Sequence, residues 1–292
     1  MQRLKRYLLF VLVLLIIGSL VTYSVEPTRT TKVQNSNSSC PYLFISWNGR
    51  DVGQSKSADD IAHMAKIVHE ADIIAIQEIV AGKGFGAKTV AALAAELSKD
   101  GSSWDYIVSD PTQPPSLGVE RYAYLIRSTV SFQRRSATLH AEVAATIDRE
   151  PYSLLAIFGI GTTIEFFSFH AVPEGKQPER EVASLTTMPD LMSGQRVIVA
   201  GDFNLNRKVT DPLFTPHGYT GHITQETSLK EMVTPTGDYL SHQYDNIYTK
   251  GIDVCESGVI DFVTQDFSPV STRTLTIARQ VSDHLPVYIR FK

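Results

Sequence analysis

The sequence predicts a single α/β domain of two packed sheets with helices outside them, preceded by an apolar N-terminal segment. Three observations carry that prediction. Strand-like runs are numerous, helical stripes are interspersed among them from residue 41 onward, and a glycine hairpin, Gly159-Ile160-Gly161, joins two of the runs directly. A composition of 43% hydrophobic and 20% charged residues is that of an ordinary globular protein, which excludes a collagen-like repeat, a coiled coil and a wholly disordered chain.

In chain order, Tyr42–Trp47 reads as a strand and Asp59–Ala71 as a helix, with Ile61, Ala65, Val68 and Ala71 on one face. Asp72–Gln77 is a short apolar strand, and Ala87–Leu97 an alanine-rich helix. Strands are expected at Tyr106–Ser109, Tyr122–Arg127, Ala141–Ile147, Ser153–Phe158 and Thr163–His170. A helix over Gln177–Met192 precedes a strand at Arg196–Ala200, and further strands are expected at Tyr244–Tyr248, Gly258–Thr264 and Pro286–Phe291.

The N-terminus reads as an export element. Residues 7–25 are uncharged, Leu8–Ile17 is an unbroken apolar run, and Arg3, Lys5 and Arg6 precede it, so the basic end stays cytoplasmic and the rest of the chain crosses the membrane. The 19-residue span fits an uncleaved membrane anchor, the preferred reading; the shorter apolar run with Thr22-Tyr23-Ser24 fits a cleaved signal peptide. Residues 26–40 are rich in Thr, Ser, Asn and Gln without periodicity, a flexible linker, and 41–292 form the exported domain, outside the cytoplasm or secreted. Cys40 and Cys255 either pair in an oxidising compartment or stay as two thiols. Two cysteines are too few for a disulfide scaffold or a Cys-rich zinc module.

The formal net charge is -4, but the first 40 residues hold five basic groups and one acid, leaving 22 basic and 30 acidic residues, or -8, in 41–292. So acidic a domain is no passive binder of polyanions, and handling a phosphate ester implies metal ions that reverse the field locally.

Chemistry-bearing residues fall where the strands stop: Asn48, Glu78, His170, Asp202 with Asn204, Asp245, and Asp283-His284. Loops at strand ends are where a rigid sheet builds sites. Asn48, Glu78 and Asp283 offer an amide and two carboxylates without thiolates, which suits a hard cation: Mg²⁺, with Mn²⁺ or Ca²⁺ as alternatives. The loop Gly82–Gly86 lacks phosphate-loop spacing, and His63, His69, His140, His217, His222 and His242 read as surface or packing residues.

The ordered set W-N-G-R (47–50), I-Q-E (76–78), E-R-Y (120–122), R-E-P (149–151), F-H-A-V-P (169–173), G-D-F-N (201–204), Y-D-N-I (244–247) and S-D-H-L-P (282–286) resembles the endonuclease/exonuclease/phosphatase superfamily, in its deoxyribonuclease I-like branch. The resemblance spans residues 43–289 and implies a four-layer α-β-β-α sandwich with two mixed sheets. It implies Asn48, Glu78 and Asp283 as metal ligands, and Asp202 and Asn204 as the pair that positions the water and the scissile phosphate. His170 and His284 are implied as catalytic histidines paired with Glu120 and Asp245, and Arg50 and Arg149 as phosphate contacts. The implied activity is metal-dependent hydrolysis of DNA phosphodiesters, endonucleolytic, by a monomer held to the membrane if its anchor is uncleaved. Two positions depart from the branch: Val80 replaces an arginine and Gly118 a tyrosine, both of which enter the DNA minor groove in the family. That leaves two alternatives, a phosphodiesterase acting on another phosphoester such as a lipid headgroup, and an inactive tethered binding domain.

Overall fold

The computed structural model describes residues 40–114 and 118–292; the expected N-terminal helix and linker lie outside them. The chain lays down β1 (Tyr42–Val52), β2 (Ile73–Val80), β3 (Trp104–Val108) and β4 (Glu120–Arg127) in one sheet. A second sheet takes β5 (Ser131–Phe132), β6 (Thr138–Leu139), β7 (Tyr152–Phe158), β8 (Thr162–His170), β9 (Val197–Asp202), β10 (Thr220–Gly221) and β11 (Asp245–Lys250). The first sheet is then completed by β12 (Val254–Val259) and β13 (Val287–Phe291). The strand orders are β12-β13-β1-β2-β4-β3 and β10-β11-β9-β8-β7-β5, with β6 beside β7. Both sheets are mixed: β1 runs parallel to β2 and β8 to β9, and the other pairings are antiparallel.

The helices are α1 (Ala58–Val68), α2 (Phe85–Leu97), α3 (Pro178–Thr186), α4 (Pro189–Ser193), α5 (Arg207–Phe214), α6 (Phe262–Asp266) and α7 (Thr272–Val281). On the first sheet α2 packs against β2 and β3, and α1 touches α2 and α7. On the second, Val182 and Leu185 of α3 and Phe214 of α5 cover Phe167, Phe169, Val197 and Val199. The result is the expected α-β-β-α layering.

Strand parity explains why the polar residues converge. Side chains alternate faces along a strand. Phe44 on β1, Ile73 and Ala75 on β2, Tyr122 and Tyr124 on β4, Ile164 and Phe166 on β8, Ile198 and Ala200 on β9, and Ile247 on β11 belong to the apolar layer between the sheets. Continuing the same parity to the strand ends places Asn48, Gln77, Glu120, His170, Asp202 and Asp245 on the inward face at one edge. Register agrees, since His170 lies opposite Asp202, Asp202 opposite Asp245, and Val80 opposite Glu120. Glu78 is out of phase; a register shift between Ile76 and Ile79 and a backbone φ of +59° turn it toward the same edge.

Some elements differ from their sequence reading. Ala141–Ile147 is no strand but a 3₁₀ turn at Ala141–Val143 followed by a further turn, its amides bonded three and four residues back. The helix expected over Gln177–Met192 is two helices, because Pro189 starts a new one where Met188 is extended. In place of a strand at Gly258–Thr264, β12 ends at Val259 and Asp261 accepts from the Thr264 amide to cap α6. The unforeseen α7 is opened by a Ser271/Thr274 capping box.

Cys40 and Cys255 form a disulfide across 215 residues, tying the residues ahead of β1 to β12. A cross-link spanning so long a loop restricts the unfolded chain, typically contributing about 2–5 kcal/mol. Reduction, or Cys255→Ser, should therefore lower the midpoint of thermal unfolding clearly; an unchanged midpoint with and without reductant would show the bridge to be idle.

Candidate active site

The polar residues meet at the mouth of the inter-sheet layer, with Asp202 at the centre. Asp202 is 2% exposed. Its Oδ1 accepts from the Asn204 amide at 2.8 Å and its Oδ2 from Asn48 Nδ2 at 3.1 Å. The same Oδ2 stands 3.6 Å from His170 Nε2 and 3.7 Å from His284 Nε2. Burial pushes this carboxyl up, but the two imidazoles and the two donors outweigh it and hold the group below the ordinary carboxylate range.

Each histidine is backed by an acid. His170 Nδ1 lies 3.0 and 3.1 Å from the two oxygens of Glu120, and His284 Nδ1 lies 2.7 Å from Asp245 Oδ2. The outer nitrogens are thus engaged and both Nε2 atoms are aimed at Asp202. Burial depresses both imidazoles, yet the facing carboxylates prevail: Glu120 raises His170, while Asp245 and Asp202 push His284 up to about 10. His284 is therefore imidazolium at neutral pH, and His170 is biased toward its protonated form.

These pairs cross between the sheets. Glu120 of β4 meets His170 of β8, Asn48 of β1 meets Asp202 of β9, and His284, ahead of β13, meets Asp245 of β11. The last pair is anchored by Ser282 Oγ, which donates to the Asn48 carbonyl at 2.7 Å and accepts from the His284 amide at 3.0 Å.

Gly201, at φ +148°, permits the β8–β9 approach that sets Asp202 beside His170. A Cβ there would fall 1.8 Å from the Phe169 carbonyl oxygen. Arg50, Asp51, Glu78 and Asn204 hold φ between +49° and +59°, so four non-glycine residues in left-handed conformation cluster at this one edge.

Two of the expected cation ligands, Asn48 and Glu78, are in contact. Asn48 Nδ2 donates to Glu78 Oε1 at 2.9 Å, and Glu78 Oε2 accepts from the Asp51 amide at 3.1 Å. Asp283 adjoins Ser282 and faces Arg279 at 3.4 Å and Arg50 at 3.6 Å. Glu78 and Asp283 are half-open to solvent, and their hard oxygens beside the sealed Asp202 fit a divalent cation. Asn48, as placed, turns its amide nitrogen to the acids and its oxygen to the Arg50 amide at 3.0 Å, so it bridges acids rather than offering a ligand atom. Asp202, Asp245 and His284 bring another set of ligand atoms within 4.8 Å of one another.

The two arginines differ. Arg50 is partly exposed, with Nη1 on the Arg279 carbonyl at 2.6 Å and Nε facing Asp283 at 3.6 Å. Arg149 is held from within the protein. It is buried, and its guanidinium donates to Glu120 at 3.2 Å, the His170 carbonyl at 3.1 Å and the Ala171 carbonyl. Its contacts hold Glu120 and the end of β8 rather than meeting a phosphate.

Thr227 escapes the sequence reading. Fully buried, it donates to Asp245 Oδ2 at 2.6 Å and accepts from the Asp245 amide at 3.0 Å, while its carbonyl accepts from the Leu285 amide. No local motif marks it, because its Asp245 partner lies 18 residues downstream. Thr227→Val keeps the shape but strands buried donors, at a cost of about 1–3 kcal/mol. We expect kcat to fall with KM little changed, because Asp245 loses its orientation; a KM effect alone would make Thr227 a substrate contact instead.

Two hollows flank the cleft. One, about 470 Å³, is lined by Arg50, Lys56 and Arg279 among others. The other, about 670 Å³, is lined by Asn204, Glu174 and Tyr244, whose ring stacks on His242 at 4.6 Å.

The model of the Endonuclease/Exonuclease/phosphatase family matches residues 45–284. No curated protein sequence matches the chain. Among solved structures, an endonuclease/exonuclease/phosphatase family protein from Leptotrichia buccalis superposes with a TM-score of 0.57 at 17% identity, covering 86% of this chain and 99% of that one. TDP2 of D. rerio, complexed with single strand DNA product, gives 0.58 at 17% identity, covering 86% and 98%. The mannosyl-6-phosphatase Bt3783 of Bacteroides thetaiotaomicron gives 0.57 at 18%, covering 86% and 99%. At these identities the likeness to the solved structures shows a shared fold.

Proposed function

The chain belongs to the Endonuclease/Exonuclease/phosphatase family, and from that premise we propose that it is a divalent-metal-dependent endonuclease hydrolysing DNA phosphodiester bonds outside the cytoplasm. The observation that carries the chemistry is the buried Asp202 between two imidazole rings, each oriented by its own carboxylate.

In this reading Asp202 accepts the proton of a water aligned by Asn204, and the water oxygen attacks phosphorus opposite the leaving oxygen. His284, with a pKa of about 10, keeps its proton and balances charge on the phosphoryl oxygens. His170 gives its Nε2 proton to the leaving alkoxide as that bond breaks, and recovers one from Asp202, 3.6 Å away. Glu120 and Asp245 hold the rings in place, Arg149 and Thr227 hold those acids, and Arg50 meets the phosphate. Glu78 and Asp283 would hold a divalent cation, which would supply Lewis-acid polarisation at the phosphate when bound.

Two hollows beside the cleft favour a substrate larger than a single phosphoester group, as a polynucleotide is, and Arg50, Lys56 and Arg279, set among Asp51 and Glu231 in one of them, suit a neighbouring phosphate. The Cys40–Cys255 bridge favours an oxidising compartment, in line with an exported domain. Protease added to intact cells should then reach Asp202's domain.

The absent groove-binding side chains make a sharper test. Gly118 has ordinary φ, and a Cβ there meets nothing within 4 Å, so the backbone tolerates a tyrosine. Val80 is half-buried against Gly53. With phosphate contacts alone, cleavage should show little sequence preference and weaken steeply with salt, the -8 charge adding to the loss. Val80→Arg should raise affinity for duplex DNA. Supercoiled plasmid, single-stranded DNA and phosphatidylcholine vesicles offered in parallel separate the readings: hydrolysis of the lipid headgroup with both DNAs intact at low salt would refute the nuclease.

A further inference from the structure

A second group of metal-ligating side chains lies on the opposite face of the second sheet from the catalytic cleft. His140 comes just after β6, and its ring is 5% exposed and stacked on Phe167 of β8 at 5.4 Å. Its Nε2 is 2.9 Å from Ser153 Oγ on β7, and its Nδ1 faces Glu142 at 2.7 Å and Asp190, in the first turn of α4, at 3.9 Å. The three ligand atoms all lie within 4.8 Å of one another.

We propose that His140, Glu142 and Asp190 form a binding site for a borderline divalent cation of the Zn²⁺ type, separate from the catalytic cation. Three features support it. Ligand atoms about 2.0–2.1 Å from a tetrahedral zinc stand about 3.3 Å apart, and the distances from Nδ1 to the two carboxylates bracket that value. The Ser153 hydroxyl engages the far nitrogen, the arrangement that fixes a ligating histidine with its other nitrogen free for metal. Negative charge is also in excess, since the one imidazole of His140 faces both Glu142 and Asp190, whereas a divalent ion shared among them balances both carboxylates. A nitrogen ligand among oxygens favours Zn²⁺ over Mg²⁺.

The site would tie β6 and the turn after it to α4, a structural rather than catalytic service. Zn²⁺ titrated calorimetrically into the full chain, with Mg²⁺ saturating the catalytic cleft, should show one more equivalent bound by wild type than by Glu142→Gln/Asp190→Asn. Both substituted side chains are solvent-exposed, so the variant should fold, and its Mg²⁺-dependent plasmid cleavage should equal wild type's. Zinc should raise the thermal midpoint of wild type by several degrees and leave the variant's unchanged. Equal zinc stoichiometry in the two proteins would overturn the proposal and reduce His140–Glu142 to an ordinary ion pair.

Discussion

Asp202→Asn should lower kcat for plasmid cleavage by about a thousandfold or more with a folded protein remaining. Four contacts of the site converge on this carboxylate: Asn48 and Asn204 donate to it, and both imidazoles face its Oδ2 at 3.6–3.7 Å. An asparagine is nearly isosteric but cannot accept the proton of the attacking water, and its amide nitrogen would face donors. Losing a general base typically costs about 10²–10⁴ in rate, and the simultaneous loss of a charge that raises both imidazoles places this variant toward the larger end. The imidazole pKa values should fall with it, so proton NMR of the metal-free variant should show His284 titrating well below the value of about 10 it has beside Asp202. A variant keeping a tenth of wild-type kcat would remove Asp202 from the chemistry.

Glu120→Ala should be the most destabilising single change in the site. Glu120 is buried between His170 and Arg149 and held below the ordinary carboxylate range because those two charges outweigh its burial. Truncating it leaves the buried Arg149 without its carboxylate, and breaking a buried pair in this way costs about 3–5 kcal/mol. Denaturant unfolding should show that loss, with cleavage reduced too because His170 is no longer oriented. Arg149→Met discriminates the positioning role from a phosphate contact: positioning predicts a lower kcat and a shifted pH profile, whereas a lost phosphate contact raises KM.

Most of the cleft is legible in the sequence because strand parity carries it. Once Phe166, Ala200 and Ile247 are taken as inward-facing, His170, Asp202 and Asp245 are reached by counting in twos. Glu78 is legible as a residue type but not as a geometry, since only a bulge and a left-handed φ bring it into line. What local sequence cannot convey is who meets whom across the sheets. Arg149 looks like a surface cation for phosphate until the fold buries it behind Glu120, and Thr227 has no signature because its role exists only where two distant segments meet. The His140 cluster is hidden for the same reason, as its second acid arrives from α4, far along the chain. Ala141–Ile147 misleads because its backbone amides are satisfied by local turn bonds rather than by a ladder.

The most direct test of the central claim is plasmid cleavage by the purified chain as Mg²⁺ is titrated against a chelator, with Glu78→Gln beside wild type. The account predicts nicking that is abolished by chelation, restored by added Mg²⁺, and absent or shifted to far higher Mg²⁺ in Glu78→Gln. Cleavage that persists in excess chelator, or a Glu78→Gln variant with the wild-type Mg²⁺ dependence, would contradict it.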